Sequence, residues 1–426
     1  MKNVLLLLCL LMTALAPLRA SYILLPMDEN SQKNHLKAYG ITYWVIEQGV
    51  ETFWLLNYRG GSFAFVYAPT LEKECKTRGV SFEVIADAQF AAIREEILNP
   101  EVNMDVIKLE KAPKIAVYTP DKNEKGEVIQ PWDDAVTLVL TYAEIPYEVV
   151  YDTEVLQGKL LEYDWLHLHH EDFTGQYGKF YSSYSSQPWY RDHVRLMETL
   201  ARQNGFDKVS QLKLAVSKKI AEYVAGGGFM FAMCSATDTY DIALAAEGVD
   251  ICAQIYDGDP PDPNAQQKLD FGKTFAFENF QLIKDPLTYE HSSIDNNLGR
   301  NVIPEQDYFT LFDFSAKWDP VPTMLTQCHT RTVKGFMGQS TAFLKRYIKS
   351  NVLIMGENKP ASEARYIHNN YGNGFWTFYG GHDPEDYRHF VGDPPTDLAL
   401  HPNSPGYRLI LNNILFPAAK KKHQKT

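Results

Sequence analysis

Gly226-Gly-Gly-Phe-Met-Phe-Ala-Met-Cys234-Ser-Ala-Thr-Asp238 reads as a strand, a sharp turn and the opening of a helix, in that order. The glycines stop a preceding amphipathic helix, Leu212 to Ala225, because a helix end favours a residue without a Cβ. Phe229 to Met233 is a short buried strand, and Thr237 to Ala246 a helix. A strand that passes directly into a helix belongs to an α/β sheet of parallel strands. Ala232 and Ala236 leave room around the turn, as a tight nucleophile elbow needs. Cys234 would face the first N–H groups of the helix, whose positive end stabilises a thiolate and lowers its pKa. A buried structural cysteine after a core strand fits the same residues.

The pattern extends outward from this stretch. Upstream lie strands Lys114 to Tyr118, Tyr147 to Tyr151 and Trp165 to His169, with helices Asp133 to Ala143 and Trp189 to Gln203. Downstream, Arg365 to Ile367 and Phe375 to Tyr379 flank a turn at Tyr371-Gly-Asn-Gly374, and a last helix runs near Tyr407 to Leu415. These predict an open parallel sheet with helices on both faces, built from 111–256 plus 351–417. Between them, 257–350 holds short alternating runs such as Thr274 to Phe277 and Tyr308 to Phe314, separated by Asn, Asp, Gly and Pro. That segment is expected to be a mostly β insertion. Residues 21–110 alternate strand, helix and strand, which predicts a small α/β unit with its own parallel sheet. Arg59-Gly-Gly-Ser62 lacks any phosphate-loop or dinucleotide pattern and reads as a turn.

Residues 1–20 carry Lys2, an apolar run from Val4 to Leu15 and small residues from Ala16 to Ala20. This predicts a signal peptide and an exported protein, periplasmic or extracellular, since the run is too short for a membrane span. No later stretch predicts a span. The formal net charge is −12, and losing Lys2 and Arg19 makes the balance more acidic. That argues against a nucleic-acid partner, which requires clustered cations. The only basic cluster is in the tail 418–426, read as a frayed end. Cys75, Cys234, Cys252 and Cys328 show neither CxxC pairing nor framework spacing.

Two further stretches could carry chemistry. Tyr379-Gly-Gly-His382-Asp-Pro-Glu385-Asp386 follows a strand, so His382 falls at the carboxyl end where open α/β sheets bind ligands. His382 could take the Cys234 proton, with Glu385 orienting its ring and Asp383 and Asp386 as alternative acids. The turns at Gly226 and Gly380 should then bring Cys234 and His382 to one sheet edge. In Trp165-Leu-His167-Leu-His169-His170-Glu171-Asp172, alternation puts His167 and His169 on one face. His167, His169, His170 and Glu171 could ligate a divalent ion, while hydrogen-bonded core histidines account for them better, since His-x-His on a strand is not a specific metal signature. Ser235, Gly381, His169, His170, Glu171 and Asp172 are the residues expected around an oxyanion or pocket.

The Cys234 elbow, the strand opening at Lys114, the Gly226-Gly-Gly stop and Tyr371-Gly-x-Gly-x-Trp-Thr-Phe-Tyr-Gly-Gly-His382 together resemble the class I glutamine amidotransferase-like superfamily, including its ThuA-like branch. The resemblance covers Lys114 to Asp250 and Ala361 to Pro417. It implies a flavodoxin-like sheet, with Cys234 as nucleophile, His382 as base and an acid shortly after. The chain departs from the family pattern where alanines replace the elbow glycines, where the acid falls one residue late, and where His169-His170-Glu171-Asp172 replaces a Gly-Gly turn. Glutaminase, another hydrolase or a lyase all stay open. The chain is also similar to exported proteins labelled asparagine synthetase B. Its residues do not carry that chemistry: the expected mature N-terminus is Ser21, not cysteine, and no Ser-Gly-Gly-x-Asp-Ser loop occurs.

Three readings follow. The first is a cysteine-dependent enzyme acting on a small extracytoplasmic substrate, with no cofactor. The second is a carbohydrate- or ligand-binding protein with an aromatic-walled cleft. The third is a metal-dependent enzyme using the 167–172 histidines.

Overall fold

The computed structural model describes residues 21–120, 134–295, 300 and 302–419. The leader read at 1–20 and residues 420–426 of the tail lie outside the described residues, as does residue 133 at the expected helix start.

The N-terminal unit runs β1 (Ser21–Leu25), α1 (His35–Glu47), β2 (Thr52–Leu56), β3 (Ser62–Val66), α2 (Pro69–Thr77), β4 (Glu83–Ala86), α3 (Asp87–Leu98) and β5 (Asp105–Leu109). Its sheet has the order β4-β1-β3-β2-β5, and every neighbouring pair is antiparallel. The expected parallel sheet is therefore corrected. β1 and β2, joined through α1, do run the same way, but β3 lies between them in a split β-α-β arrangement. Arg59-Gly60-Gly61 is the hairpin turn that returns β3 beside β2. Asn57, Gly60 and Gly61 hold φ of 61°, 75° and 85° there, the left-handed region that glycine enters without a steric penalty. Arg59 is engaged by Asp28 at 3.1 Å and Glu83 at 2.8 Å.

The second unit contains β6 (Ile115–Tyr118), α4 (Ala135–Ala143), β7 (Glu148–Val150), β8 (Trp165–Leu168), α5 (Pro188–Gln203), α6 (Val209–Gly226), β9 (Phe229–Met233) and α7 (Ser235–Ala245). It continues through β10 (Tyr308–Leu311), β11 (Thr332–Lys334), β12 (Phe343–Leu344), β13 (Leu353–Asn358), β14 (Glu363–Tyr371), β15 (Gly374–Tyr379) and α8 (Pro405–Leu415). The main path of its sheet is β11-β10-β13-β14-β15-β9-β8-β6-β7, with β12 on β14. From β7 to β15 the pairs are parallel, and from β15 outward they are antiparallel. The protein is α/β with a mixed sheet. In chain order the parallel half reads 2-1-3-4-5, so the strand order reverses beside β6, the position where such sheets bind ligands at their carboxyl ends.

Residues 257–350, expected to be mostly β, contain only three short strands among the described residues, and these extend the same sheet. Thr274 to Phe277 is not a strand; the N–H groups of Phe275, Ala276 and Phe277 bond the buried Asp241 carboxylate. A side chain meets the backbone there, so no ladder is required.

α1 packs on α4 and α8 and joins the two units into one apolar core. Gly40 makes the approach possible: a Cβ there would lie 1.8 Å from the Ala143 carbonyl oxygen. No described helix is long and apolar enough to cross a membrane.

Acid sensitivity follows from two buried imidazoles away from the sheet edge. His35 lies with its ring nitrogens 3.0 Å from Asn403 Oδ1 and from the Met27 carbonyl, and His368 lies within β14. Burial, joined at His35 by the Arg408 charge, pushes both rings down to about 4. An unfolded histidine takes up its proton near about 6.5. Below that pH the unfolded chain binds more protons, so stability present above it is lost as pH falls toward the folded values. Each ring should cost about 2 kcal/mol by about pH 4.5. Thermal melts should show Tm falling steadily over this window, and a flat Tm would contradict the neutral, buried state of these rings.

Candidate active site

Four carboxyl ends of the parallel strands deliver the site. Asp134 opens α4 after β6, His169 and His170 follow β8, Cys234 follows β9, and His382 follows β15. β9 and β15 pair with Met233 opposite Tyr379, and the Cys234 N–H donates to the Gly381 carbonyl at 3.2 Å. Cys234 and His382 thus leave adjacent strand ends. Both line a cleft of about 470 Å3 with aromatic walls from Phe180, Tyr184, Tyr289 and Phe390.

Cys234 holds φ 53° and ψ −141°, a conformation that costs a non-glycine residue of order 1–3 kcal/mol and persists only where its surroundings impose it. The strand, the helix start and the Gly381 carbonyl impose it here. The helix N-terminus does not win the electrostatic contest, however. Burial pushes the Cys234 thiol up to about 11, against the Gln339, Ser340 and Ser235 N–H groups that pull it down. The expectation of a dipole-lowered pKa is corrected: Cys234 is 3% exposed, and desolvation of a thiolate outweighs one helix end.

Segment 257–350 supplies the cover over the sulfur. The Gln339 N–H lies 3.3 Å from Cys234 Sγ, and its side-chain amide donates to Gly178 at 2.7 Å and Tyr289 at 3.0 Å. The Gly381 N–H bonds Ser340 and the His382 N–H bonds Met337. Gly381 has φ 104°, and a Cβ on it would strike Phe336 at 2.4 Å. This cover is fixed from below by Arg365, which donates to the Phe336 and Thr341 carbonyls at 2.8 Å. Arg365 and Arg300 both grip the buried Asp307 carboxylate, at 2.8 Å and 2.7 Å.

His382 is the middle ring of a stack. It lies 4.5 Å from the ring of His169 and 4.4 Å from that of His389, with His170 at 5.7 Å. Burial, then the neighbouring rings of His169, His170 and His389, hold His382 well below the ordinary imidazole range. It is neutral near pH 7. Each outer ring of the stack meets a carboxylate. His169 Nδ1 is 3.2 Å from Asp134, and His389 Nδ1 is 3.2 Å from Asp386. Asp134 also caps α4, accepting from Val136 and Thr137 at 2.7 Å and 3.2 Å. Burial raises the Asp134 carboxyl, but His167 and His169 outweigh it and hold Asp134 well below its usual range.

The expected site residues divide. Cys234, His382, His169 and His170 come together, with Ser235 and Gly381 in the adjoining backbone. The Glu385 carboxylate meets His401 at 3.1 Å, and Asp383 accepts from Thr396 at 2.7 Å and from the Glu385 N–H at 2.9 Å. Asp386 reaches the stack only through His389. Glu171 faces Lys213 and Tyr151 at 3.5 Å and 3.2 Å. Asp172 binds the Thr174, Gln176 and Gly178 N–H groups. His167 is a core histidine, its nitrogens 3.2 Å from the Phe231 carbonyl and from Asp134. The metal set His167, His169, His170 and Glu171 does not assemble as one group: Glu171 is taken by Lys213 and Tyr151 and lines a cavity of about 160 Å3 that His170 also borders. Asp134, His389 and Gln339 were not among the expected site residues. Asp134 carried one sequence signal, an acid at a helix start.

No protein-family model matches the chain, and no curated protein matches it. Among solved structures, one cytoplasmic protein of Salmonella typhimurium is 9% identical with a TM-score of 0.36, covering 72% of this chain and 100% of that one. A second cytoplasmic protein, from Salmonella typhimurium LT2, is 11% identical with a TM-score of 0.32, covering 72% and 99%. A GH42 beta-galactosidase is 10% identical with a TM-score of 0.27, covering 64% of this chain and 28% of that one. These likenesses are too loose to assign a family or a function.

The Arg365 anchor yields a stability prediction. Asp307→Ala leaves two buried guanidinium groups with Glu363 as their one shared carboxylate among the described residues, 3.2 Å from Arg300 and 3.9 Å from Arg365, and the unbalanced charge should cost about 3–5 kcal/mol in urea denaturation. A loss under about 1 kcal/mol would mean the charges do not hold the cover.

Proposed function

We propose that the protein is a cysteine-dependent acyl-transfer enzyme or hydrolase of small substrates, built on a class I glutamine amidotransferase-like scaffold. The observation that carries this reading is the strained Cys234 elbow, φ 53° and ψ −141°, between β9 and α7. Non-glycine strain of this kind concentrates at nucleophiles raised on a strand-to-helix turn. The 2-1-3-4-5 order of the parallel half supports the scaffold. The cleft volume of about 470 Å3 suits a small molecule, and the leader-like sequence at 1–20 supports an extracytoplasmic setting.

In this mechanism the Cys234 thiol and the His382 imidazole are both neutral at rest. As Sγ attacks a substrate carbonyl carbon, the thiol proton passes to His382. The Gln339, Ser340 and Ser235 N–H groups gathered at the sulfur are the donors available to the developing oxyanion. The tetrahedral species then expels the leaving group, which takes the proton from His382. Water, deprotonated by the same ring, releases the acyl group from sulfur. The rings of His169 and His389, each tied to a carboxylate, hold the His382 plane between them.

Trapping the acylated sulfur tests this directly. Incubation with p-nitrophenyl acetate and peptide mapping by mass spectrometry should place an acetyl group on Cys234, and Cys234→Ala should abolish the accompanying p-nitrophenol burst. A burst of equal size in Cys234→Ala, or acetylation confined to other residues, would remove the nucleophile from the proposal.

A further inference from the structure

We infer that His169, His170 and His382 form a binding site for a divalent transition-metal ion of the zinc type, open to the Cys234 cleft. One ligand nitrogen from each ring lies within 4.8 Å of the other two. A tetrahedral ion with bonds of about 2.0–2.1 Å spaces its nitrogens about 3.4 Å apart.

The surroundings of the rings point the same way. His169 is 2% exposed, its Nδ1 is 3.2 Å from Asp134, and its Nε2 makes no hydrogen bond among the described residues. A carboxylate behind one nitrogen and a lone pair presented by the other is how metal-bound histidines are oriented. Asp134 is itself immobilised by the α4 N–H groups and by His167. The alternative cluster of Asp134, His167 and His169 is unsuited, because both nitrogens of His167 are already engaged. A second group, Asp250, Cys252 and Asp257, has Lys208 between its carboxylates at 2.6 Å and 2.9 Å. Three imidazoles without a carboxylate in the first sphere select zinc, copper or nickel over magnesium or calcium. His170 and His382 line the cleft, so a fourth position on the ion is accessible to a small ligand.

The site also bears on the proposed reaction. In the proposed mechanism His382 receives the Cys234 proton, and the same imidazole would be a metal ligand. A bound ion therefore blocks thiol activation, a consequence that rests on the proposed mechanism, whereas the binding does not.

Titration of the chelator-treated full chain with zinc chloride, followed by calorimetry and by the rise in Tm, tests the site. One equivalent should bind and raise Tm. His169→Ala and His170→Ala should each abolish that binding, Asp134→Asn should weaken it about 10–100-fold, and Cys234→Ala should leave it unchanged. Cobalt chloride should give a tetrahedral visible spectrum in the wild type, which reports the site in any variant that retains the native circular dichroism. Absence of stoichiometric binding, or binding unchanged in folded His169→Ala and His170→Ala, would overturn the inference. Zinc that binds as expected yet leaves Cys234 acetylation at full rate would uphold the site and remove His382 as the base.

Discussion

Parallel pairing of β9 with β15, with Met233 opposite Tyr379, is the constraint on which the cleft depends. Each strand ends one or two residues later in a turn that the other stabilises, since the Cys234 N–H is bonded by the Gly381 carbonyl. A slip of one residue would turn the shifted strand's side chains to the opposite face and move Cys234 out of register with His382. That slip is opposed by buried side chains along the pairing, among them Phe231, Trp376 and Phe378. The apolar core and the position of the reactive groups are thus set by one ladder of hydrogen bonds.

Around this ladder the electrostatics are those of a dry site. Cys234, His169 and His382 are all nearly inaccessible, so desolvation outweighs favourable dipoles at the thiol and keeps the His382 ring neutral. Two buried carboxylates near the cleft are each matched by cations or donors. Asp134 sits between a helix N-terminus and two imidazoles. Asp307 sits between two guanidinium groups that pin the loop over the sulfur. A neutral thiol–imidazole pair in such surroundings costs less to hold than a thiolate–imidazolium pair, whose two charges would both need solvation.

The parallel half of the large sheet, with Cys234 and His382 at the carboxyl ends of its strands, is legible in the sequence because each element there is a strand, a glycine or capping residue, and a helix, read locally. Trp165 to Leu168, Phe229 to Met233 and Phe375 to Tyr379 are apolar runs of strand length bounded by glycine or polar residues. What was hidden depends on contacts between distant segments. β3 follows directly on the Arg59-Gly60-Gly61 turn, with no helix before it, so a strand–helix–strand pattern omits it, and without it the antiparallel sheet reads as parallel. The contribution of 257–350 was invisible because Gln339 acts through its backbone N–H, which no residue type announces. Glu385 was favoured as the acid for its nearness in sequence to His382. The carboxylate nearest the ring stack through His169 is Asp134, more than two hundred residues earlier, and only the sheet order brings it there.

The proposed pairing of the Cys234 thiol with the His382 imidazole is tested most directly by the rate of iodoacetamide labelling at neutral pH, residue by residue, in the wild type and in His382→Ala. Cys328, partly exposed and away from the cleft, serves as the internal reference. Loss of the proposed proton acceptor should slow labelling of Cys234 at least about tenfold while Cys328 reacts as before. Equal rates at Cys234 in both proteins would contradict the account.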